Sequence, residues 1–257
     1  MSGNILDTGA ILWRGCSELD SAPIVVIATG LGARGSRNAK TGAGMVQLYI
    51  LRADQSPIDA ARTGADASIC GDCRHRGTAD GAAVKGRTCY VNLVHGPRMA
   101  YLMATTARYD HVDLETAAEI LRGRVVRLGA YGDPAAVPFS VWQALLTHAS
   151  AWTGYTHQWA RYPELAAYCM ASVDTPSERA QARMLGFRTF RVRAAGQSVD
   201  PREVVCPASK EAGHKTTCDA CRACGGNLAR ARADIVIAAH GIGAGAFNRA
   251  AAQAAAS

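Results

Sequence analysis

The sequence predicts an α/β protein with parallel strands, arranged as a partial or full (β/α) barrel. Three observations carry the prediction. Apolar, strand-like runs alternate with helical stretches of about ten residues, the pattern of β-α units. Nearly every strand ends in a polar tripeptide, as expected where a site forms at the carboxyl ends of parallel strands. The 257 residues suit one domain of barrel size.

Taken in order, APIVVIATG (22–30) is apolar enough for a buried strand, and the Gly-rich loop GLGARGSRNAKTGAG follows it. MVQLYILRAD (45–54) reads as a second strand. In SPIDAARTG, Ser56 stands where an N-cap belongs and Pro57 at the first helical position. HGPRMAYLMATTARY is helical, and DLETAAEILRG (113–123) is an amphipathic helix closed by Gly. RVVRLGAYG is a strand, VPFSVWQALLTHAS a helix, SAWTGYTHQW a strand and LAAYCMASV another. TPSERAQARMLG is a helix with Thr175 as N-cap, followed by the strands FRTFRVRAAG, EVVCP and ADIVIAAHG and a last helix, GAFNRAAAQAAA. The strand ends carry Gly132-Asp133-Pro134, Tyr155-Thr156-His157, Ser172-Val173-Asp174, Cys206-Pro207-Ala208 and His240-Gly241. Asp174, just before Thr175-Pro176, also fits a plain helix cap. Residues 1–257 read as a single domain, with a β-rich N-terminal extension to about residue 44 and a Cys-rich loop at 206–226.

The composition, 49% hydrophobic and 19% charged, excludes wholesale disorder. No apolar run approaches the ~20 residues that span a bilayer, so no membrane partner is expected. The opening MSGNILDTGAILWRG lacks a basic region followed by an apolar core, so a cytoplasmic protein is expected. In a reducing compartment, clustered thiols point to metal or redox chemistry more than to disulfides, and the cysteine count of nine is odd. The net charge is +7, and all but Lys40, Lys85, Lys210 and Lys215 of the 28 cationic residues are Arg. An Arg-rich, GC-biased gene accounts for this, as does contact with phosphate or nucleic acid. Small-molecule and nucleic-acid substrates both stay open.

Two cysteine clusters carry the chemistry. In the first, CGDCRHRG (70–77), a C-x-x-C turn aims Cys70 and Cys73 at one point, and Cys89 arrives fifteen residues later. With His75 as fourth ligand the set makes a Cys₃His zinc site; without it, three thiolates suit a [4Fe–4S] cluster with one iron open. In the second, Cys206, Cys218, Cys221 and Cys224 are spaced C-x₁₁-C-x₂-C-x₂-C, a complete tetrathiolate set for structural zinc or a closed iron–sulfur cluster. Cys169, inside a strand-like run, reads as a core residue, and Cys16 has no partner in sequence. Ser36-x-Asn38 and Lys40-Thr41-Gly42 lie in the Gly-rich loop, where Asn38 and Lys40 are candidates for phosphate or cofactor binding; a solvated connection is the plainer reading. The loop lacks the ending of a phosphate-binding P-loop. Tyr155, His157, Asp174 and His240, at strand ends, are candidate pocket residues.

The order S-x-N-x-K-T-G, C-x-x-C, C-Y-x-N, G-D-P, Y-T-H, C-P…C-x-x-C-x-x-C and H-G resembles the gene-product-88-like proteins of phages and mobile elements, from about residue 10 to 242. That resemblance implies a bacterial host and supplies no reaction. A weaker one is to radical S-adenosylmethionine enzymes. Those are partial (β/α) barrels with three cysteines after the first barrel strand and a G-G-E-P-like turn after the second. LGAYGDPAAVP is similar to that turn, which implies that Gly132 and Asp133 bind cofactor, Asp133 through an ammonium or hydroxyl group. The late cysteines then hold an auxiliary cluster. The C-x₂-C-x₁₅-C spacing departs from that family's usual C-x₃-C-x₂-C. The expectation is a metal-cluster protein, an iron–sulfur enzyme, with a zinc-stabilised nucleic-acid-binding protein as the alternative.

Overall fold

The computed structural model describes residues 8–32, 35 and 38–256. Ser36 of the S-x-N motif lies outside the described residues. Strands β1 (Gly9–Cys16) and β2 (Pro23–Thr29) form an antiparallel hairpin, and β2 pairs antiparallel with β3 (Met45–Arg52). Helices α1 (Pro57–Thr63) and α2 (Ala67–Cys70) follow, then a small hairpin of β4 (Thr78–Ala79) and β5 (Val84–Lys85). Helices α3 (Gly96–Thr105) and α4 (Leu114–Ile120) lead to β6 (Val125–Tyr131), which runs parallel to β3. After α5 (Phe139–Leu146), β7 (Ala151–Thr153) pairs parallel with β6.

At Gly154 the chain changes sheets. β8 (Tyr155–Thr156) opens a second sheet, all parallel, in the order β11-β12-β10-β9-β8. Its other strands are β9 (Met170–Val173), β10 (Thr189–Arg193), β11 (Glu203–Val205) and β12 (Asp234–Ala238), with α6 (Pro176–Met184) between β9 and β10. Helices α7 (Cys218–Cys221) and α8 (Ala244–Ala256) complete the chain. Gly154 is a close-approach position: a Cβ there would lie 2.7 Å from Cys169 Sγ, inside any normal contact. Its N–H donates to Cys224 O at 3.0 Å, tying the sheet change to the late cysteine loop.

The α/β class and its parallel strands are as expected. A full barrel is not drawn by these sheets. The hairpin of β1 and β2 occupies the free edge of β3, β11 lies outside β12, and among the described residues no ladder joins the two outer edges. The LAAYCMASV run is strand only from Met170; Pro163 starts a short 3-10 turn over Pro163–Ala167, and Cys169 N–H donates back to Leu165 O.

Local chemistry explains the elements. Ser56 caps α1 with Pro57 at its start, and Gly64 ends it at φ 83°. Thr175 and Glu178 form a reciprocal capping box on α6. The first sheet holds the main core, with Ile24, Ile27, Leu48 and Ile50 fully buried, and Trp142 packs there while donating its indole N–H to Pro134 O at 2.9 Å. No helix among the described residues is long and apolar enough to cross a membrane.

At the amino-terminal ends of the second sheet lies a buried ionic network. Asp234 Oδ2 accepts from Arg179 Nη2 at 2.8 Å and Arg183 Nη1 at 2.6 Å, while Oδ1 accepts from Thr189 N–H at 3.0 Å. Arg191 donates to both oxygens of buried Glu203, at 2.7 and 2.5 Å. Each charge here has partners, which is what makes its burial affordable.

Candidate metal centre and its cavity

The first cysteines are positioned by backbone. Cys70 ends α2, and Cys73 N–H donates to Cys70 O at 3.3 Å, closing the C-x-x-C turn. Arg76 braces the turn through Nη1 to Gly71 O at 2.8 Å and Nη2 to Asp66 at 2.6 Å. The small hairpin then returns the chain, so that Thr88 N–H and Cys89 N–H both donate to His75 O, at 3.2 and 3.0 Å. Burial pushes the Cys70 thiol well up, and neighbouring Cys73, Asp66 and Cys89 add to it. Burial likewise takes Cys73 up to about 12 and raises Cys89.

The late cysteines are anchored on other strands. Cys206 N–H donates to Val236 O at 2.8 Å, and Cys218 N–H donates to Lys40 O at 3.1 Å. Asp219 seals α7 against the Gly-rich loop: its N–H donates to Thr41 O at 3.0 Å and its carboxylate accepts from Gly44 N–H at 3.1 Å. Arg188 Nη1 donates to Ala223 O and Gly226 O at 2.9 and 3.0 Å, holding the far side of the loop. Burial takes Cys224 up to about 12; the Tyr155 hydroxyl bonded to it works against this, and Cys206, Cys218 and Cys221 push it further. Burial also raises Cys218, partly offset by Arg127 and Lys40. The two sets of thiols thus each act on their own members.

Both sets face one cavity of about 360 Å³. Cys70, Cys73 and Cys89 line one part of it, and Cys206, Cys218, Cys221 and Cys224 another. Among the described residues, no group of three or more His, Cys, Asp and Glu side chains is yet placed to hold a metal ion. The donor set is nonetheless thiol-rich, and the wall carries orphaned buried polar atoms. Tyr131 is 3% exposed, and its hydroxyl has no hydrogen-bond partner among the described residues; the same holds for Arg127 Nε.

Of the other candidates, Asn38, Lys40, Gly132, Asp133, Tyr155, His157 and His240 also line the cavity. Asp133 is spent on structure: Oδ1 accepts from Ala135 N–H at 3.0 Å and Oδ2 from His157 N–H at 2.7 Å, which aims the Tyr155–His157 bend. Burial raises its carboxyl, opposed by His157 and these N–H groups. Gly132, at φ 88°, lies so close to Ile50 that a Cβ would fall 2.6 Å from that side chain and its carbonyl oxygen. Lys40 Nζ donates to His240 Nε2 at 3.2 Å, and His240 Nδ1 donates to Ala238 O at 3.2 Å, which fixes the neutral tautomer. Burial and the nearby Lys40 charge hold His240 below its ordinary value.

Two of the candidates have other partners in this arrangement. His75 lines the cavity, but both ring nitrogens are engaged, Nδ1 with Thr88 Oγ1 at 2.7 Å and Nε2 with Asp174 Oδ2 at 2.9 Å. In this arrangement it offers no lone pair to a metal. Asp174 stands behind His75 rather than on the cavity wall, because its own loop is pinned by Glu178 Oε2 accepting from Asp174 N–H at 2.8 Å. Arg127, Tyr131 and Tyr90 were not singled out from sequence. Arg127, Gly129 and Tyr131 of β6 all line the cavity, but the register slips between Arg127 and Tyr131 and Gly129 turns left-handed at φ 63°, so strict alternation along RVVRLGAYG does not by itself pair them.

No protein family, curated protein or solved structure matches the chain.

Proposed function

We propose that the chain is a metal-cluster enzyme built on a partial (β/α) barrel, with its site at the carboxyl ends of the parallel strands. Cys70, Cys73 and Cys89 hold a [4Fe–4S] cluster; three thiolates leave one of its four irons for a small molecule. Cys206, Cys218, Cys221 and Cys224 hold a second, fully ligated centre. The observation that carries this reading is the lining of a single cavity by seven cysteines drawn from distant segments. A purely structural zinc site would close around its metal and leave no such space beside it. Ligation requires the sulfurs to move from their places here and to shed their protons.

S-adenosylmethionine is the proposed small molecule. The Gly132-Asp133-Pro134 turn adjoins the first cysteines, since Asp133 N–H donates to Ile69 O, the residue before Cys70. The Asp133 carboxylate is committed to main-chain N–H groups, so its part is to shape the wall. The setting in phages or mobile elements rests on motif resemblance alone.

Anaerobic reconstitution with iron and sulfide, followed by iron, sulfide and zinc analysis, tests the proposal. Expected are both clusters, visible absorption near roughly 400 nm, and an altered electron paramagnetic resonance signal on adding S-adenosylmethionine. Stoichiometric zinc without iron would replace it with the zinc-stabilised, nucleic-acid-binding alternative.

A further inference from the structure

The cavity wall is electrically lopsided. Lys40, Arg127 and Arg222 bring cationic groups to it, while Asp133 is the sole carboxylate among the described lining residues. Both Asp133 oxygens already accept N–H groups. The cations are therefore not neutralised by protein carboxylates. Arg127 is held rather than mobile: Nη2 donates to Tyr90 OH at 2.7 Å, and the guanidinium lies 5.8 Å from the Tyr155 ring centre. Tyr90 stacks on His240 at 5.8 Å, and His240 accepts from Lys40, so the four side chains form one connected wall. Arg127 Nε itself is sealed from solvent and has no partner among the described residues, so it is the rest of the guanidinium, with Lys40, that meets the cavity.

We propose that the Lys40–Arg127 corner binds the anionic group, phosphate or carboxylate, of a small molecule that occupies the cavity. Arg127 supplies a fixed guanidinium charge and Lys40 a second cationic donor on the same lining, and Tyr90 and His240 keep both in place. A cavity of about 360 Å³ takes a small molecule rather than a polymer. This inference deepens the reading above and rests on it for the cavity being a reaction site. The anion site itself needs no metal.

The test measures binding of inorganic phosphate and, separately, of acetate to the full chain by calorimetry, with metal content assayed on every sample. Wild type is compared with Lys40→Met, whose side chain lies on a loop, and with Arg127→Met. The expected result is saturable binding of one anion or both, weakened about tenfold in Lys40→Met, the loss of one charge-assisted bond, with unchanged metal content. Preference between the two anions identifies the group. Absence of binding in metal-loaded protein overturns the anion site and leaves the metal proposal standing. Binding in protein that takes up no metal does the reverse. Equal affinity in wild type and both variants overturns the inference. So does a loss of metal in Lys40→Met without loss of anion affinity, because the cation would then be serving the cluster.

Discussion

Replacing Asp234 by Asn probes the face of the protein opposite the cavity. The carboxylate accepts from Arg179, Arg183 and the Thr189 N–H, and its side chain is fully buried. Removing one partner of a buried ion pair costs roughly 3–5 kcal/mol. The lower end applies here. Arg183 is 44% exposed and can turn to water, and Arg179 keeps Asp200 at 3.1 Å. A loss of about 3 kcal/mol, at about 2–4 °C per kcal/mol for a chain of this size, lowers Tm by about 6–12 °C. The pH dependence has a definite sign. Burial pushes the Asp234 carboxyl up, but the Thr189 N–H and then Arg183 and Arg179 outweigh it and hold the group below the ordinary carboxylate value. Its contribution is therefore complete above that value and is lost as pH falls through the depressed one. Thermal melts of wild type and variant should differ fully at pH 7 and converge on strong acidification. A difference under 1 °C at pH 7, or one that does not shrink in acid, would refute the reasoning. Metal uptake after reconstitution should be unchanged, because none of these groups borders the cavity.

Other outcomes follow from the site. Cys70→Ala should abolish the first centre while Cys218→Ala abolishes the second, each leaving about half the iron, read by metal analysis; loss of all iron from either variant would mean a single shared centre. Gly132→Ala should destabilise by about 2–4 kcal/mol, from a left-handed backbone and contact with Ile50, and lower metal uptake by the first cysteines, read by melts and iron content. Stripping metal with a chelator should leave the far-ultraviolet circular dichroism and a cooperative melt intact, because the main core, with Ile27, Leu48 and Trp142 fully buried, is built largely from side chains other than the cysteines.

Much of this could be read before any coordinates. Short spacings were the most legible: C-x-x-C and C-x₂-C-x₂-C confine their sulfurs by chain length alone, and the Thr175-x-x-Glu178 capping box is a local bond pair. Strand-end polar groups were legible because parallel strands put their carboxyl ends on one side. Closure into a full barrel is not legible, since nothing in a strand's own residues tells which neighbour takes its edge; the β1–β2 hairpin occupies that of β3. The partners of His75 are illegible for a related reason. A histidine near cysteines looks like a ligand until Thr88 and Asp174, thirteen and ninety-nine residues away, are seen to hold both nitrogens. Arg127 and Tyr131 were missed because a cation and a phenol in an apolar strand gain meaning only from the face they occupy.

The gathering of the cysteines is a property of the backbone, not of the sulfurs. Cys89 is hung from His75 O, Cys206 from Val236 O and Cys218 from Lys40 O, while Cys224 O receives the Gly154 N–H at the junction of the two sheets. Each anchor is a main-chain hydrogen bond to a different element, so the segments would converge even with every sulfur replaced. That division of labour suits a centre that must be assembled after folding and exchange small molecules afterwards. The amino-terminal ends of the second sheet are locked by paired charges, while the carboxyl ends keep a cavity with unpaired donors at Tyr131 and Arg127. A protein selected for stability alone would have filled that space with apolar side chains, since unsatisfied buried donors are costly. Their retention on the same wall as seven thiols is the physical reason to look for chemistry there.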